Sequence, residues 1–369
     1  MIYVKYIAFT VIGIYALLIL YFFYGWYKLR LFADSSLKDS IALSVIVACR
    51  NEEHNITELL RCLIAQNYPT QKTEIILIND HSIDNTKRVA LECIRDYPHI
   101  KLYDLPNGLR GKKDAISFGV EKSGCDLIVT TDSDCTMSQN WLRELILYYK
   151  EKKPKLISGP VCLKYEDTIF QKFQALEFLS LIGSGAGAIG VHKAIMCNAA
   201  NMLFEKSLYK QCNIKNELAS GDDIFLMLCA KAQNKKNIQF IKSQDAIVSS
   251  VATKGIKSFY HQRVRWTSKS KAYKDPDIIL TAILVALTNI ILGVSMIYSI
   301  TNLTFSDFTL LFLLKSVSDF ILLFSVTRFF KSKKLMLYFI PLQLIYPFYI
   351  ITTVLFGLIG NFKWKDRTF

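Results

Sequence analysis

The sequence lacks the patterns that usually bind zinc or build a disulfide framework. Its five histidines never stand at an H-x-x-H or H-x₃-H spacing, and its nine cysteines include no C-x-x-C pair. These absences argue against a zinc site and against a disulfide-rich secreted domain. In a reducing cytoplasm we expect the cysteines to be thiols of the protein core.

The sequence also has no basic surface that stands apart from its apolar segments. The formal net charge is +14, but Lys and Arg gather beside long apolar stretches, with no separate stripe of basic and aromatic residues. This distribution argues against nucleic-acid binding. It suits contact with an anionic membrane surface instead.

Charges are absent from stretches that are long enough to cross a bilayer. Ile7–Trp26 is uncharged, and no small-x-small cleavage site follows it, so we predict a retained membrane anchor. Three further apolar stretches lie near the C-terminus: Ile278–Phe305, Phe308–Thr327 and Leu335–Phe362. Lys315 and Asp319 interrupt the middle one, and their four-residue spacing predicts an ion pair on one helix face.

The basic residues predict how these stretches are oriented. They cluster after the first stretch, before the second and after the third, which places the central domain in the cytoplasm of a multi-pass plasma (inner) membrane protein. Strict alternation then puts Lys363 and Lys365 outside, against the positive-inside rule. We expect Pro341 and Pro347 to interrupt the last stretch and to leave a cytoplasmic tail.

Between the anchor and the second stretch, short apolar runs alternate with helical patterns. The predicted strands are Leu43–Ala48, Glu74–Ile78, Ile100–Tyr103 and the run that begins at Leu127. This alternation predicts an α/β domain with a parallel sheet and right-handed crossovers.

Three of these strands end in polar clusters. They deliver Arg50, Asn51 and Glu52; Asp80, Ser82 and Asp84; and Asp132 and Asp134. Each cluster alone is compatible with a helix N-cap. Because the carboxyl ends of parallel strands meet at one edge, the three together favour a nucleotide site, to which Lys112 at a helix start would add positive charge.

Asp132 and Asp134 lie on the same side of an extended backbone. Both carboxylates could therefore reach one hard cation, Mg²⁺ or Mn²⁺, that bridges the phosphates of a nucleotide. The alternative is a strand end followed by a polar turn.

Three later segments also attract attention. Gly185–Gly190 has the G-x-G-x-x-G spacing but no strand before it, so we predict a small-residue helix or loop rather than a nucleotide site. Asp222 and Asp223 open an apolar helix, where they are either caps or carboxylates directed at a substrate. Phe259–Trp266 mixes aromatic and basic residues before the second apolar stretch, as an interfacial helix does.

In their order, these motifs resemble the family 2 glycosyltransferases, in the membrane-bound branch of the cellulose, chitin and hyaluronan synthases. The resemblance covers about residues 41–270. The motifs that carry it are Val47–Glu53, Asp80–Asp84, Gly111-Lys112, Asp132-Ser-Asp134, Gly221-Asp-Asp223 and Gln262-Arg-Val-Arg-Trp266. The resemblance implies a GT-A fold with a mostly parallel sheet.

The resemblance also implies the site residues. Asp223, with Asp222 as the alternative, would be the general base, and Asp134 and Asp132 would hold Mg²⁺ or Mn²⁺. The implied nucleotide-sugar contacts are Ala48, Arg50, Asn51, Glu52, Asp80, Ser82, Asp84, Lys112, Asp132, Ser133 and Asp134. The implied contacts to the acceptor or diphosphate are Asn201, Gln262, Arg263, Arg265 and Trp266.

The implied activity is an inverting transfer of a hexosyl or N-acetylhexosaminyl group from a nucleotide-sugar, expected to be UDP-linked. The acceptor would be a membrane-associated polysaccharide or lipid. The predicted divisions are an anchor (1–27), a cytoplasmic catalytic domain (28–250), an interfacial segment (251–277) and a membrane region (278–369). Lys113 and Asp114 depart from the family pattern after G-K, which leaves acceptor choice and processivity open.

Two other functions are compatible with parts of the sequence. Asp132-Ser-Asp-Cys-Thr136 also fits the D-x-D-x-T of haloacid-dehalogenase-like phosphatases, in which Asp132 would be a nucleophile. However, three strand–helix units precede it here, whereas that motif normally ends the first strand of its domain. A membrane scaffold that kept the fold without catalysis is the second alternative.

Overall fold

We describe the protein from a computed structural model. The residues described are 2–33, 40–212, 222–268, 272–359, 363–364 and 367–368. They fall into two compact units. The sheet unit comprises Leu29–Lys164 and Met196–Val251, and the helical unit comprises Met1–Lys28, Tyr165–Ile195 and Ala252–Phe369. Residues 165–195, which the sequence analysis placed in the catalytic domain, thus group with the apolar helices.

The sheet unit alternates strands and helices as predicted. Its strands are β1 (Leu43–Cys49), β2 (Thr73–Asn79), β3 (Ile100–Asp104), β4 (Leu127–Asp132), β5 (Thr136–Met137), β6 (Leu156–Ser158), β7 (Val161–Lys164), β8 (Met202–Glu205), β9 (Ile238–Phe240) and β10 (Val248–Val251). Its helices are α2 (Ile56–Ile64), α3 (Thr86–Ile94), α4 (Lys112–Lys122), α5 (Trp141–Lys152), α7 (Lys206–Gln211) and α8 (Asp222–Gln233).

Within the described part of this unit, seven strands form the main sheet in the order β3-β2-β1-β4-β8-β6-β9. The four strands found from sequence are mutually parallel, whereas β8 runs antiparallel to both β4 and β6. Ala48 pairs with Asp132, and Cys49 pairs with Asn79. This register brings the polar ends of β1, β2 and β4 to one edge of the sheet.

A smaller, three-stranded sheet includes the short strand that follows β4. Its order is β5-β10-β7, with β10 antiparallel to β5 and parallel to β7. Because β5 begins two residues after Asp134, this pairing brings β10 close to the end of β4. The short strand β10 carries Ser249 and Ser250, which the sequence analysis did not single out.

The helical unit contains the long apolar segments. Its helices are α1 (Ile2–Lys28), α6 (Ile169–Gly190), α9 (Ile256–Ser268), α10 (Pro276–Asn302), α11 (Ser306–Phe329) and α12 (Phe339–Ile359), and a hairpin joins β11 (Lys363–Trp364) to β12 (Arg367–Thr368). The described residues include four helices that are long and apolar enough to cross a membrane, one near the N-terminus and three near the C-terminus. The prediction of one N-terminal and three C-terminal apolar segments is thus confirmed.

Glycines bring α1 and α6 into backbone contact. A Cβ added to Gly187 would lie 2.1 Å from the carbonyl oxygen of Phe22, and one added to Gly190 would lie 2.3 Å from that of Gly25. The Gly185–Gly190 pattern therefore belongs to a small-residue helix, one of the two predicted alternatives, and not to a phosphate-binding turn. The structure adds that this helix packs closely on α1.

Two expectations from the sequence are wrong. Pro347 lies inside α12, which continues as helix on both sides of it, so the proline does not interrupt this segment. Cys212 and Cys229 form a disulfide, with their Cα atoms 6.0 Å apart, because α7 ends where α8 passes. Their 17-residue separation gives no recognisable cysteine motif.

Candidate active site

The carboxyl end of β4 carries a cluster of opposite charges. The Lys112 ammonium, at the start of α4, forms an ion pair with Oδ1 of Asp132. Asp134 lies two residues further on, and its Oδ2 accepts a hydrogen bond of 2.9 Å from the Ser250 hydroxyl. A lysine and two carboxylates from two parts of the chain thus meet at the edge that the sequence predicted.

The surroundings of Asp134 favour its protonated form in the absence of a cation. Burial, the largest cause, and the negative charges of Asp132 and Glu52 together raise the pKa of this carboxyl to about 6, against the smaller lowering effects of the Ser250 hydrogen bond and of Lys112. Glu52 therefore lies close enough to act on Asp134. A site that holds several carboxylates at an unfavourable mutual distance is one that a bound cation would stabilise.

The donors in this cluster suit a small hard cation. Among the residues that the structure describes, no group of three or more His, Cys, Asp or Glu side chains is placed to hold a metal by itself. Mg²⁺ and Mn²⁺ are commonly bound by one or two carboxylates together with substrate phosphates, so the pair Asp132 and Asp134 fits such an ion. The elevated pKa of Asp134 is independent support, because a metal would replace the proton.

Asp80 is buried at the end of β2, where it meets the start of α4. Its carboxylate accepts a hydrogen bond of 3.0 Å from the backbone N–H of Gly111, the residue before α4. Gly111 has a φ of 91°, which glycine adopts without strain. This contact fixes the helix start that presents Lys112.

Several predicted nucleotide contacts instead connect the loops after β1 and β2. Arg50 donates to the carbonyl oxygens of Asp80 and His81, both at 2.7 Å. The Ser82 hydroxyl accepts from the N–H of Asn51 at 3.2 Å. These bonds give Arg50 and Ser82 an internal role in shaping the site.

Asp84 has a similar internal role at the start of α3. Its carboxylate accepts from the backbone N–H groups of Thr86 and Glu53, at 3.0 and 3.2 Å. Burial alone would raise the pKa of Asp84, but these hydrogen bonds together hold it below its usual value. This carboxylate caps a helix and ties two loops together, as the capping alternative described.

Asn201 does not face a ligand. It is fully buried, and its Nδ2 donates to the carbonyl oxygens of Pro160 and Ala246 at 2.9 and 2.8 Å. Its Oδ1 accepts from the indole N–H of Trp141 at 3.0 Å. Since both amide hydrogens are used within the protein, the predicted acceptor contact is corrected to a structural role.

The remaining predicted residues of the sheet unit lie around the same edge. Ala48 is the penultimate residue of β1, and Asn51 follows that strand. The φ of 51° at Asn51 is one that asparagine tolerates better than most residues. Ser133 is buried between the two aspartates.

Asp223 lies at the start of α8. Its Oδ1 accepts from the N–H of Ile224 at 2.9 Å, and its backbone carbonyl accepts from the thiol of Cys197 at 3.2 Å. The side chain of Asp222 and the whole of Gly221 lie outside the described residues, so this motif is described through Asp223 alone.

The Q-x-x-R-W motif lies on α9, in the helical unit. Gln262, Arg265 and Trp266 are partly exposed, whereas Arg263 is buried. Arg263 makes an ion pair of 2.5 Å with Glu177 of α6, a residue that sequence reasoning missed because a single Glu in an apolar helix forms no motif. Arg263 is thus held by the protein rather than offered to a diphosphate.

Comparison with known proteins identifies the family of the region that contains this site. Residues 44–212 match the family described as Glycosyl transferase family 2. The poly-β-1,6-N-acetyl-D-glucosamine synthase of Staphylococcus epidermidis is 30% identical over 176 residues, which cover 46% of this chain and 40% of the relative. The enzyme of the same name from Staphylococcus aureus strain COL is 30% identical over 159 residues, covering 42% and 37%. The matched region thus spans about two fifths of each relative.

The fold is also found in a solved structure, the mannosyltransferase PcManGT from Pyrobaculum calidifontis in complex with GDP-Man and Mn²⁺. The TM-score is 0.61 at 16% sequence identity, and the match covers 97% of this chain and 99% of the other. The family match replaces the phosphatase alternative, which also fails to account for the three strands before β4. Residues 44–212 thus form a family 2 glycosyltransferase domain, and the chain has the GT-A fold.

Proposed function

We propose that this protein transfers a sugar from a UDP-sugar to a growing, membrane-associated polysaccharide, with inversion at the anomeric carbon. The observation that carries the proposal is the cluster of Lys112, Asp132 and Asp134 at the carboxyl end of β4. It combines one ammonium group with two carboxylates at the sheet edge where α/β proteins bind nucleotides.

The chemistry follows from the charges that develop during transfer. As the bond between the anomeric carbon and the phosphate oxygen breaks, negative charge grows on the leaving diphosphate. Lys112 stabilises this charge, and Asp80 supports it by fixing the N-terminus of α4. Asp132 and Asp134 would hold Mg²⁺ or Mn²⁺, which supplies further positive charge against the diphosphate when it is bound.

The acceptor side needs a base. In the proposal, Asp223 removes the proton from the acceptor hydroxyl while the hydroxyl oxygen forms its bond to the anomeric carbon. The proton ends on the carboxylate, and the electron pair of the broken bond leaves with the nucleoside diphosphate. A single displacement of this kind inverts the anomeric centre.

The choice of donor and acceptor rests on the relatives. The staphylococcal relatives are named as synthases of a β-1,6-linked N-acetylglucosamine polymer. We therefore propose UDP-N-acetylglucosamine as the donor and an oligosaccharide of the same sugar as the acceptor. A lipid acceptor is the alternative, because four helices here are long and apolar enough to lie in a bilayer.

We also propose that the protein spans the plasma membrane and holds its sheet unit in the cytoplasm, where nucleotide-sugars are made. The distribution of basic residues supports this orientation. The Cys212–Cys229 disulfide opposes it, since such bonds are rare in a reducing compartment. To test the orientation, a cysteine is introduced at the exposed Lys153, and intact cells are treated with an impermeant thiol reagent. Labelling of this cysteine would show that the orientation is the reverse.

Transfer itself is tested with the full chain in lipid nanodiscs. A panel of labelled UDP-sugars is supplied with Mn²⁺ and short N-acetylglucosamine oligosaccharides, and the products are analysed by mass spectrometry. We expect label in oligosaccharide only with UDP-N-acetylglucosamine, and none when EDTA exceeds Mn²⁺. Label in the lipid fraction alone would select the lipid acceptor.

One test variant and one control variant accompany this experiment. Asp134→Asn should abolish transfer, because it removes one of the two carboxylates of the cluster. Asp126→Asn changes an exposed carboxylate just before the opposite end of β4 and should leave transfer unchanged. Full transfer in excess EDTA, or equal loss in both variants, would contradict the proposed site.

A further inference from the structure

The disulfide between Cys212 and Cys229 encloses the segment that carries the candidate base. Cys212 follows α7, and Cys229 lies on α8. They are 17 residues apart, and the sequence between them includes Asp222 and Asp223. A covalent bond between two positions removes conformations from the chain that it encloses. The disulfide therefore restricts the backbone that carries both carboxylates.

Helix α8 connects Cys229 to Asp223. Because both residues belong to one continuous helix, they are separated by about 9 Å along its axis. At the start of this helix, the backbone carbonyl of Asp223 accepts a hydrogen bond from the thiol of Cys197 at 3.2 Å. A shift of α8 relative to α7 would consequently move Asp223 relative to Cys197.

Non-covalent contacts keep α8 in place when the disulfide opens. Leu226 and Met227 are fully buried, so α8 stays packed on the sheet unit. A hydrogen bond of 3.1 Å from Nε2 of Gln233 to Oε1 of Gln211 also joins α8 to α7, but both side chains are exposed and water competes for this bond. We therefore expect reduction to loosen the contact between α7 and α8 without unfolding α8.

The two sulfurs differ in their access to solvent. Cys229 is half-buried, whereas Cys212 is buried. A small thiolate can therefore attack the sulfur of Cys229, where a mixed disulfide forms, and the electron pair of the broken bond leaves on Cys212, which takes up a proton. A second small thiolate then attacks the sulfur of the first and releases Cys229. The protein disulfide is thus reduced to two thiols while two small thiols are oxidised to one disulfide.

We propose that Cys212 and Cys229 are a redox-sensitive pair that exchanges with small thiols and disulfides of the cytoplasm, and that the oxidised pair holds Asp223 in position for sugar transfer. Disulfides in a reducing compartment are usually transient and redox-sensing, so such a pair is compatible with a cytoplasmic sheet unit. The proposal rests on the proposed function, in which Asp223 takes the proton of the acceptor hydroxyl.

The test equilibrates the full chain in nanodiscs with reduced and oxidised glutathione at several ratios. Alkylation of free thiols and mass spectrometry give the redox state of the pair. We expect the reduced wild type to transfer sugar about 10- to 100-fold more slowly than the oxidised form, because a small displacement of a catalytic group has an effect of this order. Its affinity for UDP should not change. Amide hydrogen exchange in residues 223–233 should be faster in the reduced form.

Two variants separate this pair from the other cysteines. Cys212→Ser cannot form the disulfide, so it should transfer sugar at the rate of the reduced wild type at every glutathione ratio. Cys93→Ser removes a half-buried free thiol on α3 and is the control, which should respond to glutathione as wild type does. If Cys212→Ser does not fold, the comparison of reduced with oxidised wild type decides.

A disulfide that glutathione does not open would be a permanent structural bond and would overturn the proposal. Equal hydrogen exchange in both redox states, or equal transfer rates, would likewise overturn it. A wild type that transfers no sugar in either state would overturn the proposed function. In that case hydrogen exchange and the redox state would still decide whether the pair is redox-sensitive and restrains α8.

Discussion

The ammonium of Lys315 lies 2.6 Å from Oδ2 of Asp319, one helical turn further along α11. Both groups have additional partners. Lys315 also donates to Gln343 of α12 at 2.6 Å, and Oδ1 of Asp319 accepts from the phenol of Tyr15 of α1 at 2.8 Å. The ion pair predicted from the sequence is confirmed, and it connects three of the long apolar helices.

The first prediction concerns the loss of one member of this pair. Lys315→Met leaves the carboxylate of Asp319 in an apolar bundle, which should destabilise the protein by about 3–5 kcal/mol and lower its accumulation in membranes. Lys315→Met with Asp319→Leu removes both charges and should recover most of the loss. Immunoblots of membrane fractions and thermal unfolding measure both effects. Equal accumulation of the single and double variants would contradict the prediction.

The second prediction uses two glycines of the helical unit. Gly187→Ala forces a methyl group against the backbone of α1, where a Cβ would lie 2.1 Å from the Phe22 oxygen. The helices must separate, so we expect a loss of about 1–3 kcal/mol in the free energy of unfolding. Gly13→Ala is the matched control on α1, since a Cβ at this residue has no atom within 4 Å. A loss of similar size in both variants would mean that close packing is not the cause.

The third prediction follows from the elevated pKa of Asp134. The folded, metal-free protein binds this proton more tightly than the unfolded chain does, so the bound proton stabilises the fold. This stabilisation is complete below about pH 4, the ordinary pKa of Asp. It is lost as the pH rises through about 6, the pKa of Asp134 in the folded protein. Asp134→Asn stays neutral at every pH. At pH 7.5 and without metal it should therefore be more stable than wild type, by up to about 3 kcal/mol, and this advantage should disappear at pH 4.

The same proton competes with a metal. Below pH 6 the apparent affinity of wild type for Mn²⁺ should fall by about ten-fold for each pH unit, since the cation must displace one proton. Thermal unfolding measures the stability difference, and calorimetry measures Mn²⁺ binding. If the metal-free wild type is as stable as Asp134→Asn at pH 7.5, the ionised carboxylate of Asp134 does not destabilise the folded protein and the prediction is wrong.

The residues themselves explain which features the sequence could predict. The parallel strands and Asp132-Ser-Asp134 were found because uninterrupted apolar runs and short polar motifs are local signals. The roles of Ser250, Glu177 and Asn201 depend on partners 116, 86 and 60 residues away in the chain. A sequence pattern within one segment cannot predict contacts between residues so far apart in the chain. The disulfide was missed for the same reason, since only the packing of α7 and α8 brings its cysteines together.

The last prediction is that Asp223 is the general base. The carboxylate begins α8, and its own backbone carbonyl accepts a hydrogen bond from Cys197, so its position is fixed by two neighbouring segments. A base held in this way needs little reorganisation when the acceptor hydroxyl arrives. Asp223→Asn keeps the size and the local hydrogen bond to the N–H of Ile224 but cannot accept a proton from a hydroxyl. It should bind UDP and Mn²⁺ as wild type does and transfer sugar about 10²–10⁴-fold more slowly.

A helix cap would behave differently. If Asp223 only stabilised the start of α8, Asp223→Asn would lose little transfer, because asparagine caps helices about as well as aspartate. Asp222→Asn is made in parallel, since either of two adjacent carboxylates can serve as the base. An inactive Asp222→Asn beside an active Asp223→Asn would move the role one residue back. Two active variants would show that neither carboxylate is the base, and the proton would then have to leave the acceptor by another route.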